Sequence, residues 1–446
     1  MHARPRLFAL VWPMFLELLL GIGLGVVATG LAARISDTSG AAFGIANHVF
    51  TTLFILFRVV GAGVSVAMTQ ALGAGRRDRA DAIARAVVGV STWMGGIGAL
   101  AALVAAKPLL LLINAPAEVM PLAVPLLQTL APALMIDAWN ANMASVLRSH
   151  LRSREALVVV VVIQAITLAS AVFLMPEMGL PGYALACALG RSAGLALHIL
   201  LWRHRLDLKL RAPDWWQLRR PELAPVFHVG LPGAAENICH RMCFMFSVAA
   251  VAKLGAGALA THAYAFSFIG IILLNGLAIG FSVEILVGHM IGAGNLHGAN
   301  KLVKRALAWG LGITLAVAGS FALFAKPLFG LFTKDPELLK QGAMLLAMTI
   351  ILEPGRTFNL VVINALRATG DARYPVMAGA ASMVLVLAGG SWLFGVYLGW
   401  GLVGVFIAYT LDEWIRGLSM WHRWVTLRWA PYARASHRKL RRARAH

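Results

Sequence analysis

Long apolar runs dominate this chain and leave few kinds of fold open to it. A helix needs about 20 mainly apolar residues to cross the hydrocarbon core of a bilayer. The chain of 446 residues is 59% hydrophobic and 13% charged, with a mean hydropathy of +0.77, whereas soluble domains are about a quarter charged. We therefore predict an all-α integral membrane protein with twelve transmembrane helices, near 7–33, 43–68, 84–106, 121–147, 156–175, 182–202, 226–252, 259–289, 303–325, 338–366, 375–397 and 401–424.

The positive charges predict how these spans are oriented. Loops on the cytoplasmic side of a membrane collect Lys and Arg. With both termini inside, the predicted cytoplasmic segments hold 28 of the 39 Lys and Arg residues, the outer segments hold six and the spans hold five. We therefore expect a multi-pass protein of the cytoplasmic (inner) membrane with both termini in the cytoplasm.

The formal net charge of +20 is concentrated beside the spans, most densely in the stretches 203–225 and 425–446. Charge alone would also suit nucleic acid. Basic segments next to membrane spans, however, favour contact with anionic lipid headgroups. We expect membrane lipids, and no nucleic acid, among the partners of this protein.

The chain also repeats itself at a constant offset of 219 residues. This offset carries Glu17 onto Glu236, and it carries AAKPLLLLI (105–113) onto FAKPLFGLF (324–332). A constant offset over most of both halves indicates an internal duplication. Each half contains six spans, so both halves enter the membrane in the same orientation, as in transporters with parallel repeats.

The duplication predicts the domain organisation and a mode of action. Transporters built from two such repeats bind their substrates between them, near the middle of the bilayer, and work by alternating access. We predict two pseudo-symmetric six-helix bundles and two basic segments: an N-lobe at 1–202, a cytoplasmic linker at 203–225, a C-lobe at 226–424 and a basic cytoplasmic tail at 425–446.

Acids within the spans are the first candidates for a site, because ionisable residues in a membrane are rare and usually functional. Glu17 and Glu236 have no oppositely charged neighbour one helical turn away, apart from His240 after Glu236. A solitary carboxylate at low dielectric tends to hold a proton, which it can release when a cation arrives. We interpret both acids as candidates for ion coupling. The alternative is a structural role, through hydrogen bonds between helices or an ion pair of Glu17 with Arg58. The seven acids within predicted spans are Glu17, Asp137, Glu236, Glu284, Glu353, Asp412 and Glu413.

Two further acids have basic partners at helical spacing. Glu353 precedes Arg356 by three residues, with Pro354 between them, and Asp412 precedes Arg416 by four. Residues three or four apart share a helix face, and a proline kinks a helix by removing a backbone donor. Each pair is either structural or functional. The first is favoured for function, because transporters build ion and substrate sites at broken helices.

Other polar residues are weaker candidates. Asp137 and Arg356 occupy equivalent positions of the repeat with opposite charge, so the lobes are expected to differ chemically. Glu284 could simply be solvated near the cytoplasmic end of its helix. Cys239 and Cys243 flank a histidine, but buried Cys is usually a small hydrophobe, so we expect no metal site. Possible cavity-lining residues, for which interhelical hydrogen bonding is the alternative, are Asn47, Asn140, Asn237, His240 and Asn359.

Four motifs in the chain resemble the multidrug and toxic compound extrusion (MATE) transporters: WPMFLELLL (12–20), ILVGHMIGAGN (285–295), TIILEPGRTFNLVVINALRATGDARYP (349–375) and GLVGVFIAYTLDEWIRGLSMWHRW (401–424). They look closest to a bacterial branch with EPGR and DEW signatures. The resemblance implies a V-shaped fold of two six-helix lobes. It also implies export of amphipathic, mostly cationic organic compounds in exchange for H⁺ or Na⁺.

This chain departs from the family pattern in its first span. Members often carry an Asp there, at the position of Ala28 in this chain. The departure puts the N-lobe ion mechanism of the family in doubt for this protein. Coupling is then expected to rest on Glu17, or on Glu236, Glu353 and Asp412 of the C-lobe.

The main prediction is a secondary active multidrug exporter that is not an enzyme and works as a monomer without a cofactor. A flippase for lipid-linked precursors, of related architecture, is the first alternative. The seven acids against five arginines within the spans argue mildly against the cationic cavity that it would need. A membrane-embedded lipid enzyme is the second alternative, and the sequence shows no Asp-rich or His/Glu motif near a span end to support it.

Overall fold

The computed structural model describes residues 7–113 and 115–442, apart from the side chains at 55, 56, 58, 59 and 442. Within these ranges the chain consists of helices and short connections, without any strand. The first half contains eight helices: α1 Leu7–Ile35, α2 Asp37–Gly73, α3 Arg77–Val104, α4 Ala106–Leu112, α5 Met120–Thr129, α6 Ala131–Ser149, α7 Ser153–Met178 and α8 Leu180–Arg205.

The second half follows a linker that contains one 3₁₀ turn, Ala212–Trp215. After α14 the helix continues in π-helical geometry over Met383–Ala388 and Ser391–Tyr397, and three non-helical residues, 398–400, precede α15. The helices of this half are α9 Arg220–Lys253, α10 Ala256–Gly292, α11 Leu296–Leu323, α12 Ala325–Phe329, α13 Pro336–Ala368, α14 Arg373–Ser382, α15 Gly401–Val425 and α16 Ala430–Arg442.

All twelve predicted spans lie in helical segments. In the described ranges, eight helices are long and apolar enough to cross a membrane, and α5 with α6, which meet at 46°, provide a ninth crossing. The break between them falls where α6 begins with Ala131 and Pro132, because proline fits the first turn of a helix. The other predicted spans lie in α2, α9 and α15. The chain therefore has the predicted all-α membrane fold.

The helices divide into two compact units. The N-terminal unit contains Trp12–Leu72 and Arg76–Gly230. The C-terminal unit contains the chain from Leu231 onward, together with Gly73–Gly75 and the described residues up to Val11.

In the N-terminal unit, α3 packs on α6 and α7 packs on α8. The rings of Phe43 and Tyr183 meet edge to face at 4.7 Å within its core. The linker is part of this unit, because Trp93 Nε1 donates a hydrogen bond to the Trp216 carbonyl at 2.9 Å. Packing of large rings and small residues is what joins helices in lipid, where burial of apolar surface gives little gain.

In the C-terminal unit, α13 is the central helix and packs on α10, α11 and α15. Its approach to α10 requires glycine. A Cβ atom on Gly276 would lie 2.9 Å from Thr357 Oγ1, and one on Gly280 would lie 3.1 Å from the Leu360 carbonyl oxygen. Glycines four residues apart allow two membrane helices to pack closely, so α13 and its charged groups are held firmly inside this unit.

The two halves also share a turn that depends on glycine. Gly75 and Gly294, which are related by the offset of 219, have φ angles of +72° and +77°. Glycine adopts this left-handed conformation without steric cost. The duplication is therefore visible in the backbone as well as in the sequence.

Candidate functional site

Glu17, the acid of the first span, is paired. Its Oε1 atom accepts a hydrogen bond from Arg148 Nη1 of α6 at 2.7 Å, and Arg148 also donates to Ser145 Oγ at 3.1 Å. The side chains of Glu17 and Arg148 are 22% and 16% exposed. The expectation that Glu17 has no charged partner is therefore wrong. The side chain of Arg58, the partner considered from the sequence, lies outside the described part of the chain.

Glu236 has the equivalent partner in the second half. Arg367 Nη2 of α13 donates to Glu236 Oε2 at 2.6 Å. The offset that relates the two glutamates also relates Arg148 to Arg367, and the partners are 131 residues apart in both pairs. Each unit thus joins its first span to its fourth by the same ion pair. The expectation of a solitary acid is wrong here as well, because helical spacing does not reveal a partner on another helix.

These pairs change what the two glutamates can do chemically. An ion-paired carboxylate must separate from its guanidinium before it can bind a proton or another cation. A closed pair instead holds two helices together. The structural alternative considered from the sequence therefore gains support, although the partner is an arginine and not a neutral hydrogen-bonding group.

A larger cluster of charges lies between α13 and α15 of the C-terminal unit. Arg356 donates to Glu353 at 2.7 Å and to Glu413 at 3.0 Å. Arg416 donates to Asp412 at 2.7 Å and lies 3.0 Å from the Glu413 carboxylate. The two pairs predicted from spacing, Glu353 with Arg356 and Asp412 with Arg416, are confirmed. Glu413 joins them into one network, which we call the C-terminal charge network.

Neutral groups donate additional hydrogen bonds to two of the three carboxylates. Asn359 Nδ2 donates to Glu413 at 3.0 Å, and Ser382 Oγ donates to Asp412 at 2.7 Å. Glu353 is hydrogen-bonded by Arg356. Glu353 and Asp412 are each 1% exposed, and Glu413 is 5% exposed. The network therefore buries three carboxylates with two guanidiniums.

The network also contains a free acceptor. The Oδ1 atom of Asn359 is buried and has no hydrogen-bond partner within the described residues. In those ranges, no three side chains among His, Cys, Asp and Glu converge as ligands of a metal ion would. The carboxylates are therefore arranged around guanidiniums and not around a common point.

Two predicted residues of α9 differ in their relation to this network. His240 interacts electrostatically with Glu413, Arg416 and Arg356, and the residue as a whole is exposed. Asn237 is also exposed, and its amide donates to the Gly233 carbonyl of its own helix at 2.8 Å. The structure thus places His240 within electrostatic range of the charged groups.

The N-terminal unit holds a smaller polar cluster. Arg191 of α8 donates to Asp137 of α6 at 2.6 Å, and Asn140 Nδ2 donates to the Arg191 carbonyl at 2.9 Å. The Oδ1 atom of Asn140 lies 3.0 Å from Nδ1 of the buried His198. One carboxylate is balanced by one guanidinium, so this cluster has no excess of charge if both groups are ionised.

Each cluster contains an ion pair between the fourth and the sixth span of its unit, but the acid and the arginine have changed places between the two units. In the N-terminal unit the acid Asp137 lies on the fourth span and its arginine lies on the sixth. In the C-terminal unit Arg356, at the equivalent position of the fourth span, pairs with Glu413 on the sixth. Asp137 and Arg356, which have opposite charges at equivalent positions of the repeat, are thus each one partner of such an ion pair.

Two other predicted residues stand apart from these clusters. Asn47 is half-buried on α2, and no hydrogen bond joins it to a charged group in the described ranges. Glu284 is only 3% exposed, so the expectation that it is solvated is wrong.

The sequence reasoning missed Arg148, Arg367 and Arg191 as site residues, and it counted Glu413 among the acids of the spans without giving it a partner. The repeat carried a signal for the first two, because positions 148 and 367 keep arginine in both halves just as 17 and 236 keep glutamate. Glu413 lies three residues before Arg416, a spacing that permits an ion pair on one helix. Arg191 had no comparable signal.

Comparison with known proteins finds relatives along the whole chain. The family model MatE matches residues 13–173 and again residues 232–392, two segments related by the offset of 219. A Bacillus subtilis protein described as the uncharacterized transporter YisQ is 32% identical, and the match covers 95% of this chain and 94% of that protein. A Pseudomonas putida protein described as the probable multidrug resistance protein NorM is 26% identical, with 91% of each chain covered.

Solved structures share the fold at lower identity. The Vibrio cholerae MATE transporter VcmN in its bent form matches with a TM-score of 0.85 and 21% identity, over 96% of this chain and 97% of that one. A structure described as the outward-facing conformation of a multidrug resistance MATE family transporter matches with a TM-score of 0.88 and 18% identity, over 96% of each chain.

Proposed function

The chain belongs to the MatE family, and we propose that it is a secondary active exporter of amphipathic, mostly cationic organic compounds. Members of this family are transporters and not enzymes. In this proposal a compound leaves the cell in exchange for an entering proton, and the two units alternate between inward and outward access. A name shared by several relatives, probable multidrug resistance protein, supports the substrate class.

The observation that carries the coupling mechanism is the composition of the C-terminal charge network. It contains three buried carboxylates and two guanidiniums. An unbalanced charge taken out of water costs several kcal/mol. Binding of one proton would neutralise the network, and its release requires a conformation in which water reaches the acid. A network that changes its proton content with access to water is what an exchanger needs.

Glu353 is the proposed proton carrier. Its hydrogen bond from Arg356 is shared with Glu413, because the same guanidinium binds both acids. Glu413 has two guanidiniums and an amide, and Asp412 has a guanidinium and a hydroxyl. The negative charge of Glu353 is therefore the least compensated by donors and guanidiniums among the three acids. It also lies next to Pro354, where the helix lacks one backbone hydrogen bond.

The geometry favours a proton over Na⁺. Hard metal cations are bound by several converging oxygen atoms, but the carboxylates of this network each face a guanidinium. The free Asn359 oxygen is a neutral acceptor of this network that could join a cation site. Coupling to Na⁺ is therefore the alternative that the test below compares with coupling to a proton.

We place the coupling in the C-terminal unit for two reasons. The cluster of the N-terminal unit pairs one acid with one arginine, and Ala28 replaces the first-span acid of the family. Glu17 and Glu236 stay candidates from the sequence. Because each is paired with an arginine, we assign them a structural part in this proposal.

The test is gradient-driven efflux from proteoliposomes with ethidium as the cationic probe, under separate proton and sodium gradients. Glu353→Gln is expected to abolish proton-driven efflux, because glutamine cannot exchange a proton. It should keep ethidium binding and exchange of ethidium down its own gradient. Glu337→Gln is the matched control, because Glu337 is exposed and lies in the first turn of the same helix.

Three results would contradict parts of this proposal. Normal proton-driven efflux by Glu353→Gln would remove Glu353 from coupling. Efflux that follows only the sodium gradient in the parent protein would exclude proton exchange. Translocation of a lipid-linked precursor, without gradient-driven efflux of any cationic dye, would favour the flippase.

A further inference from the structure

The last helix, α16, has two different faces. Ala433, His437 and Leu440 recur at intervals of four and three residues, which places them on one side of a helix. Ala433 and Leu440 are buried, and His437 Nδ1 donates to the Gly292 carbonyl at the end of α10 at 2.8 Å. This face fixes α16 to the C-terminal unit.

A second face of α16, about 100° around the helix from the first, is basic and open. Arg434, Arg438 and Arg441 recur at the same spacing, one residue after the buried positions, and all three are exposed. Lys439 is exposed beside them. A docked helix that presents a row of cations on its free side is typical of helices that lie at a membrane surface.

No exposed acid balances these cations on the neighbouring segments. The stretch 423–446 contains no Asp or Glu, and neither does the stretch 293–305. The acid in the loop between α13 and α14, Asp371, is 1% exposed and paired with Arg423 at 2.5 Å. Further exposed cations near the helix ends of this unit are Lys301, Lys304, Arg305, Arg373 and Arg428.

Apolar side chains are exposed between the end of α15 and the start of α16. Val425, Leu427 and Tyr432 are 45%, 51% and 45% exposed. The corner that carries them is rigid, because the rings of Trp424 and Trp429 stack at 4.4 Å. Exposed apolar and aromatic groups beside a row of cations match the boundary between acyl chains and headgroups.

We propose that α16 is an interfacial helix whose Arg434, Arg438 and Arg441 bind the phosphate groups of anionic phospholipids in the bilayer around the protein. The ligand chemistry is a phosphate monoanion carried by a lipid. The apolar side chains at the corner favour a bilayer over nucleic acid or a free phosphate, since neither of those would cover them. Lipid then holds the end of the C-terminal unit through α16 and its bond to Gly292.

The test is hydrogen exchange of residues 430–442 in the full-length protein, measured by mass spectrometry in nanodiscs. Nanodiscs of phosphatidylcholine are compared with nanodiscs that also contain phosphatidylglycerol. The anionic lipid should slow exchange by about tenfold or more, because each cation near an anionic surface contributes roughly a factor of five. High salt should reverse the effect, since salt screens such contacts.

A triple variant, Arg434→Gln with Arg438→Gln and Arg441→Gln, should lose the dependence on phosphatidylglycerol. The matched control removes the same charge from exposed lysines of the predicted outer segments, through Lys107→Gln, Lys326→Gln and Lys334→Gln, and should keep the dependence. If the triple variant folds poorly, the comparison of the two lipids in the parent protein decides the question.

Equal exchange of the parent protein in both lipids would overturn the proposal. The same slowing by soluble glycerol phosphate in phosphatidylcholine nanodiscs would show a site for free phosphate instead of a membrane contact. Slowing by an oligonucleotide, but not by phosphatidylglycerol, would assign the basic face to nucleic acid. None of these results depends on whether the protein exports organic cations.

Discussion

Replacement of Glu17 by glutamine should destabilise the N-terminal unit without removing ion coupling. The change leaves the Arg148 guanidinium without its counter-charge at a position where Arg148 is 16% exposed. Loss of one partner from a fully buried ion pair costs about 3–5 kcal/mol, and an exposed pair contributes at most about 1 kcal/mol. The pair of Glu17 and Arg148 lies between these limits, so we expect a loss of about 2 kcal/mol. At about 2–4 °C per kcal/mol for a domain of this size, the melting temperature should fall by roughly 4–8 °C.

A double variant separates the stranded charge from other effects of the substitution. Glu17→Gln with Arg148→Gln removes both charges, and it should recover part of the loss because no unpaired ion stays in the helix bundle. The equivalent pair of Glu236 and Arg367 is 10% and 15% exposed. Its single variants should therefore lose slightly more stability than those of the first pair.

The assay combines thermal melts of the purified protein, followed by tryptophan fluorescence, with proton-driven ethidium efflux per folded molecule. The ion-pair argument expects a lower melting temperature and retained efflux for Glu17→Gln. It is refuted if Glu17→Gln melts like the parent protein but has lost proton-driven efflux. That result would restore the hypothesis from the sequence that this acid carries the coupling ion.

Three other outcomes follow from contacts in the two units. Asp137→Asn leaves the Arg191 guanidinium, which is 12% exposed, without its counter-charge, so the melting temperature should fall by an amount that corresponds to about 2–3 kcal/mol, between the limits for exposed and fully buried pairs. Gly280→Val places a side chain 3.1 Å from a carbonyl of α13 and should cost about 1–3 kcal/mol by overpacking; Gly270→Val, with no atom within 4 Å of its added Cβ, is the control and should melt like the parent. Burial lowers the pKa of the His150 imidazole below 6.5 in the folded protein. The unfolded chain therefore binds a proton at this ring more readily than the folded protein does, and the stability due to the neutral ring is lost as pH falls below 6.5. Melting curves between neutral and mildly acidic pH should show a smaller loss for His150→Gln than for the parent.

The fold was predictable because its signals are local or periodic. Apolar runs indicate helices that cross a membrane. The offset of 219 indicates two equivalent bundles, and neither signal requires that the contacts between helices be known. The break between α5 and α6 was not predicted as a bend, although Pro132 is visible in the sequence. A proline shows that a helix can start or kink there, but the angle depends on the helices packed around it.

The site was predictable only where both partners lie on one helix. Glu353 with Arg356, and Asp412 with Arg416, were found from spacing alone. The pairs that join helices were missed, since their partners are separated by 131, 54 or 57 residues. Spacing along one helix carries no information about such distances. The absence of a basic neighbour on the same helix was therefore a poor reason to regard Glu17 as solitary.

The exchanged cross-links bear on where coupling can reside. An ion pair that ties the fourth span to the sixth works equally well with the acid on either helix, because the attraction does not depend on which partner carries which sign. Asp137 with Arg191 and Arg356 with Glu413 meet this description, so their common feature is structural. In the proposed mechanism, coupling then rests on groups that one unit has and the other lacks. These are Glu353, Asp412 and Arg416, which add one more acid than base to the C-terminal unit and leave it with a charge that a proton can neutralise.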